Sequence, residues 1–94
     1  MKKMCVTYQC DFKCQCPIDP ELVDHYTLLV EAHAIIVVED LHELLASYAE
    51  KTMFQEDITA DIASRFVQIG KVTTSGFHSG VKTVCTVEIV NAKG

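Results

Sequence analysis

The sequence predicts an α+β subunit of element order β-β-α-α-β-β, and three observations carry that expectation. Apolar and polar residues alternate near both ends of the chain, the period of a strand with one buried face. In the middle the spacing changes to three and four, the period of an amphipathic helix. Turn formers such as Pro17, Pro20, Gly76 and Gly80 fall between the periodic segments.

Met4, Val6, Tyr8, Cys10 and Phe12 alternate with Cys5, Thr7, Gln9 and Asp11, which predicts a first strand followed by a loop from Cys14. Alternation resumes from Tyr26 to Ala34, and the apolar run Ile35 to Val38 extends it into a second strand, expected to be antiparallel to the first. Leu41, Leu44, Leu45 and Tyr48 then recur at helical spacing, with Glu39 and Asp40 at the positive end of the helix dipole. Lys51-Thr52-Met53 interrupts that pattern before a second helix, roughly Phe54 to Phe66, that turns Ile58, Ile62 and Phe66 inward. The two helices are expected to form a short pair. Val72 to Ser75, a Gly76 to Gly80 turn, and Val81, Thr83, Cys85, Val87 and Ile89 in alternation predict a closing hairpin. Four antiparallel strands with both helices inserted in the middle put the helices on one face and leave two free sheet edges, which favours association.

Composition bounds the function. A chain of 94 residues has room for one domain, taken as residues 1–94, and its small core is another reason to expect a homo-oligomer. The longest apolar stretch, Ala32 to Val38, is too short to span a bilayer, and Lys2-Lys3 is not followed by a signal-type core. A cytoplasmic location with no membrane partner is the expectation. The five cysteines are an odd number, and four of them crowd between Cys5 and Cys16, so free thiols are expected rather than a disulfide scaffold. The net charge of −5 disfavours broad electrostatic binding of nucleic acid. It favours a small-molecule substrate, or a basic groove assembled from several subunits.

Cys14 and Cys16 fall where a loop is held by two strands yet open to ligands. A thiol there acts as a nucleophile once a neighbour takes its proton, and Asp19, Asp24 and His25 are near enough in sequence to do so. A loop cysteine equally reads as a packed residue. Zinc is a third reading, because Cys14, Cys16, His25, His33, His78 and Cys85 are ligand types, although Cys-x-Cys is shorter than the usual knuckle and no second pair follows. His33 and His42 read most simply as solvated, and Cys5 and Cys10 as strand residues. Glu56, behind Gln55, opens the second helix, where its carboxylate either complements the dipole or accepts the paired N–H groups of a guanine-like ring.

Three segments carry a resemblance. Cys16-Pro17-Ile18 followed by Val23-Asp24-His25-Tyr26 resembles the Cys-Pro and Asp segment of the 7-cyano-7-deazaguanine reductase family. Val38-Glu39-Asp40-Leu41 through Ser47-Tyr48, then Phe54-Gln55-Glu56-Asp57-Ile58, is similar to the helix pair of that family and of GTP cyclohydrolase I. Gly80-Val81-Lys82 and the strand after it resemble the close of the short, archaeal-type reductase-like amidinotransferases, including archaeosine synthase.

The resemblance implies the tunnelling fold, in which β-β-α-α-β-β subunits form rings with sites at their interfaces, two stacked pentamers being one candidate form. It implies Cys16 as the nucleophile that forms a thioimide with the nitrile of 7-cyano-7-deazaguanine, Asp24 as the acid for the nitrile nitrogen, and Glu56 as the anchor of the base. Gln55 beside Glu56, and His78 in the Gly76 to Gly80 turn, complete the expected substrate-binding set. The Cys16 to Asp24 interval is one residue longer than the family's usual spacing. The reductases' lysine-containing NADPH segment has no counterpart, since Ile36 to Leu44 holds neither Lys nor Arg, and the Cys-x-x-His element of the cyclohydrolase is missing at Cys14 to Pro17. The expected activity is therefore transfer of ammonia to the nitrile, giving a formamidine, without a redox cofactor or a metal. The base is free, in tRNA or in DNA; nucleic acid would require assembly to gather Lys13, Lys51, Arg65, Lys71 and Lys82. The alternatives are NADPH-dependent nitrile reduction, as in queuosine biosynthesis, and a noncatalytic protein that binds a purine or pterin.

Overall fold

The computed structural model describes residues 1–90. It has the expected order: β1 (Val6–Gln15), β2 (Val23–Ala32), α1 (Val38–Ser47), a 3-10 turn (Tyr48–Glu50), α2 (Gln55–Arg65), β3 (Ile69–His78) and β4 (Val81–Glu88). The strands form one antiparallel sheet in the order β1-β2-β3-β4, so among the described residues β1 and β4 are its edge strands, β1 being bridged at its end from Gln15 to Thr52. One face carries Phe12, Cys14, Tyr26, Leu28, Val30 and Val72, all buried beneath the helical segments. Removing such side chains from water stabilises the fold by about 1.5–3 kcal/mol for each large aliphatic one. Among the described residues no helix is long and apolar enough to cross a membrane.

The helical segments divide the sheet between them instead of forming the expected pair. The 3-10 turn and α1 lie against β1, whereas α2 lies against β3 and β4. Their link is a polar one: the buried Tyr48 donates its hydroxyl hydrogen bond to Asp61 Oδ2 at 2.6 Å. Asp61 also pairs with Arg65 one turn later at 3.2 Å.

The structure departs furthest from the sequence expectation at three places. β1 runs on to Gln15, because Cys14 keeps the inward phase of Phe12 and because the chain between the helices holds the strand end: Gln15 donates its backbone N–H to Lys51 O at 3.0 Å. β2 ends at Ala32, and Ile35 to Val38 is not strand. Only Ile36 of that run is buried, fixed by its N–H to Tyr8 Oη at 2.7 Å, and the helix starts at Val38. The last turn is shorter than Gly76 to Gly80. Ser79 and Gly80, at φ 50° and 81°, make a two-residue connection of the left-handed kind that suits hairpins, and His78 pairs with Val81.

Gly76 is thus a strand residue, and its lack of a side chain matters. A Cβ there would lie 2.8 Å from Tyr26 Cδ1 and 2.9 Å from His25 O. Only glycine lets the Tyr26 ring cross β3 at this point.

Candidate functional site

The two-residue period of the strands delivers the expected residues to one place. Cys14 pairs with Asp24 and Tyr26 with Gly76, so Asp24 and His78, two residues beyond Tyr26 and Gly76, face each other at one end of the covered face. The β1–β2 connection is closed by Cys16 N–H to Leu22 O at 3.0 Å and by an Asp19–Leu22 turn with Pro20 at its second position. Those bonds hold Cys16 beside Asp24. From the other side, α2 brings Gln55 and Glu56 to the same point. Cys16, Asp24, Gln55, Glu56 and His78 all line one cleft of about 230 Å³, walled also by Pro17, Ile18, Phe54, Tyr26 and Thr83.

The polar groups of this cleft divide into engaged and free. Gln55 is only 4% exposed. Its Nε2 donates to Thr74 O at 3.1 Å and to Thr83 O at 3.2 Å, while its Oε1 accepts from Thr83 Oγ1 at 2.6 Å and lies 3.1 Å from His78 Nε2. Its amide is therefore spent on the cleft wall and presents nothing free to a ligand. Glu56, by contrast, is exposed in the first turn of α2, where the helix dipole favours its negative charge and its oxygens remain open.

Asp24 sits between two partners. Tyr26 donates to its Oδ2 at 3.3 Å, and His78 Nδ1 lies 3.7 Å from its Oδ1. Burial, reinforced by the Asp24 charge, pushes the Tyr26 phenol far above its ordinary range, so Tyr26 stays a proton donor to that carboxylate. Tyr26 and Thr83 were not singled out by the sequence, although their inward phase beside Asp24 and His78 is the signal that marks them.

The two neighbouring cysteines differ. Cys14 is wholly buried, donates its thiol hydrogen to Lys51 O at 2.8 Å, and has a pKa raised by burial. Cys16 is half-buried at the cleft. His25, His33 and His42 are exposed and lie outside the cleft lining, and Asp19 serves the turn, where its Oδ1 accepts from Glu21 N–H at 3.2 Å. Among the described residues no three His, Cys, Asp or Glu side chains are grouped as a metal ion needs.

A second and wider concavity, about 600 Å³, runs along β1 between the strand and α1. It is lined by Tyr8, Phe12, Leu41 and Leu45 and borders the β1 edge.

No family profile and no curated protein matches the sequence. A solved structure, that of the archaeosine synthase QueF-Like in the apo form, superposes with a TM-score of 0.83 at 23% identity over 89% of this chain and 91% of that one. That likeness establishes the fold: the chain has the tunnelling fold, with which its element order and antiparallel sheet agree.

Proposed function

We propose that the cleft binds a 7-cyano-7-deazaguanine base and converts its nitrile to a formamidine with ammonia. The observation that carries this reading is the convergence of a half-buried thiol, Cys16, a carboxyl group, Asp24, and an unengaged carboxylate, Glu56, on one small cleft. The cleft lies in the fold of a protein described as an archaeosine synthase.

In this reading Glu56 accepts two parallel hydrogen bonds, from the ring N–H and the exocyclic amine of the base. Cys16 as thiolate attacks the nitrile carbon; a C–S bond forms, one π bond of the nitrile breaks, and its nitrogen takes a proton from Asp24, leaving a thioimide. Ammonia then adds to the same carbon. The C–S bond breaks, the sulfur leaves as thiolate, and the formamidine departs. No electrons are exchanged with an outside reagent, so the reaction calls on no nicotinamide. The base is free or carried in tRNA or DNA. The β1 and β4 edge strands support a homo-oligomeric ring in which copies pair edge to edge, and a cytoplasmic setting for a one-domain subunit of this kind completes the proposal.

The test is intact-mass measurement after incubation with 7-cyano-7-deazaguanine, repeated with Cys16→Ala. The parent protein gains the mass of the base and the variant does not; ammonia then releases the adduct, and NADPH is not oxidised. A parent protein that binds the base without becoming heavier rejects thioimide chemistry, and NADPH consumption on turnover replaces amidine formation with reduction.

A further inference from the structure

We infer that Gln55 fixes His78 in its Nε2–H tautomer and that His78 Nδ1 and Asp24 consequently hold one proton between them. On the nitrile reading just given, this is the proton that the nitrile nitrogen receives. His78 is thereby a positioning residue for Asp24.

The inference starts from two backbone carbonyls. Thr74 O and Thr83 O can only accept, and both lie within 3.2 Å of the same Gln55 amide atom, so that atom is the NH₂ group. The orientation of the amide follows without reference to His78, and its oxygen must be the atom that faces the cleft wall. That oxygen accepts from Thr83 Oγ1 at 2.6 Å and meets His78 Nε2 at 3.1 Å. An oxygen acceptor requires a donor opposite, so Nε2 carries hydrogen in every protonation state of the ring. Neutral His78 must therefore present a lone pair at Nδ1.

Nδ1 lies 3.7 Å from Asp24 Oδ1, within ion-pair reach when the ring is protonated. Two bare acceptors repel, so the arrangement is favoured when one proton lies between them, on either the carboxyl or the imidazole. Tyr26 supports both forms, since its hydroxyl donates to the other carboxyl oxygen, Oδ2, at 3.3 Å. The Tyr26 and His78 rings also pack with centroids 5.8 Å apart, which steadies the imidazole. The titratable groups facing this pair are Tyr26 on β2, Cys14 on β1, Cys16 in the β1–β2 loop and Glu56 on α2; β4 contributes the uncharged Thr83.

The proton balance closes within the site. Cys16 enters as the thiolate, and the pair gives its one proton to the nitrile nitrogen as the C–S bond forms. When ammonia has added, the proton it sheds returns to the pair as the C–S bond breaks. Gln55 itself never exchanges a proton.

Two measurements on the full chain test this. Nitrogen-15 NMR of the histidine ring reads the tautomer in the substrate-free protein: Nε2 protonated with Nδ1 bare at high pH supports the inference, and an Nδ1–H tautomer overturns it. Time-resolved mass measurement of thioimide formation then compares the parent with His78→Gln, whose amide can still donate to Gln55 Oε1 but cannot take up a proton. The variant is expected to form the adduct on the order of a hundredfold more slowly. The loss should fall on the maximal rate, not on the half-saturating base concentration. Adduct formation by His78→Gln at the parental maximal rate overturns the inference while leaving the nitrile reading intact. A parent that binds the base yet never forms an adduct overturns the nitrile reading itself, and the proton-delivery role with it.

Discussion

The covered face of the sheet has two ends built on opposite principles. At one, Val30 pairs with Val72 and Ala32 with Ile69 in an aliphatic cluster with Ile36, Leu45 and Ile62, against which Tyr8 packs with its hydroxyl turned to the Ile36 backbone. At the other, Thr74, Thr83, Gln55, His78, Asp24 and Tyr26 are joined by hydrogen bonds and close polar approaches, in a molecule that leaves no buried side-chain polar atom unpartnered among the described residues. Dispersion and burial have no direction, so the apolar end sets how stable the sheet is and tolerates approximate shape. Hydrogen bonds are directional, and a missing partner leaves a costly orphan, so the polar end sets where each atom points.

Changes at each end should separate these two jobs. Ile62→Ala, at the apolar end, should lose about 3 kcal/mol of unfolding free energy in urea, through the lost burial and the cavity left behind. Its remaining folded molecules should form the thioimide at the parental rate; a large rate loss would show that the ends are not separable. Gln55→Met should lose about 2 kcal/mol, because Thr74 O, Thr83 O and the His78 N–H are left without their amide. It should also erase the Nε2–H preference of His78, read by NMR.

Tyr48→Phe lies between the two ends and should cost about 1 kcal/mol near neutral pH by removing the hydrogen bond to Asp61. Burial alone would raise the Asp61 pKa, but Tyr48 and Arg65 outweigh it and hold it below the ordinary 3.8. A depressed carboxylate contributes stability above its unfolded value and loses it as pH falls through the folded one. The difference between parent and Tyr48→Phe should therefore shrink as the pH drops below 3.8 in a series of urea titrations. Glu56→Gln should have the smallest effect on stability, less than about 0.5 kcal/mol, because the side chain is exposed. Calorimetric titration should nonetheless show base affinity falling roughly tenfold to a hundredfold, since a charged acceptor has become a neutral one.

The same contrast explains what could be read from the sequence. Periodicity announces burial, so the four strands, both helices and the inward phase of Tyr26, Leu28, Ile58 and Ile62 were legible. Punctuation misled where tertiary contacts overrode it. Cys14 looked like the start of a loop because Pro17 follows closely, but its thiol and the Gln15 N–H are both tied to Lys51 O. Gly76 looked like a turn residue, whereas it makes room for the Tyr26 ring. The meeting of Cys16, Asp24 and Glu56 followed only from the resemblance. The Gln55–His78 contact, 23 residues apart in sequence, has no local signature at all. A two-residue turn at Ser79-Gly80 would have placed His78 in phase with Thr74 and Gly76, and that register is the one clue the sequence held.

The Cys14 thiol, reaching forward 37 residues to the carbonyl of Lys51, has a consequence for the order in which the protein is made. On the ribosome Cys16 emerges early, within a hairpin that can pair its strands as soon as Ala32 is out. That hairpin has no mooring for its Cys14 end until Lys51 follows, and no His78 until β3 is complete. A chain released before then carries the Cys16 thiol without the cleft that surrounds it in the whole subunit.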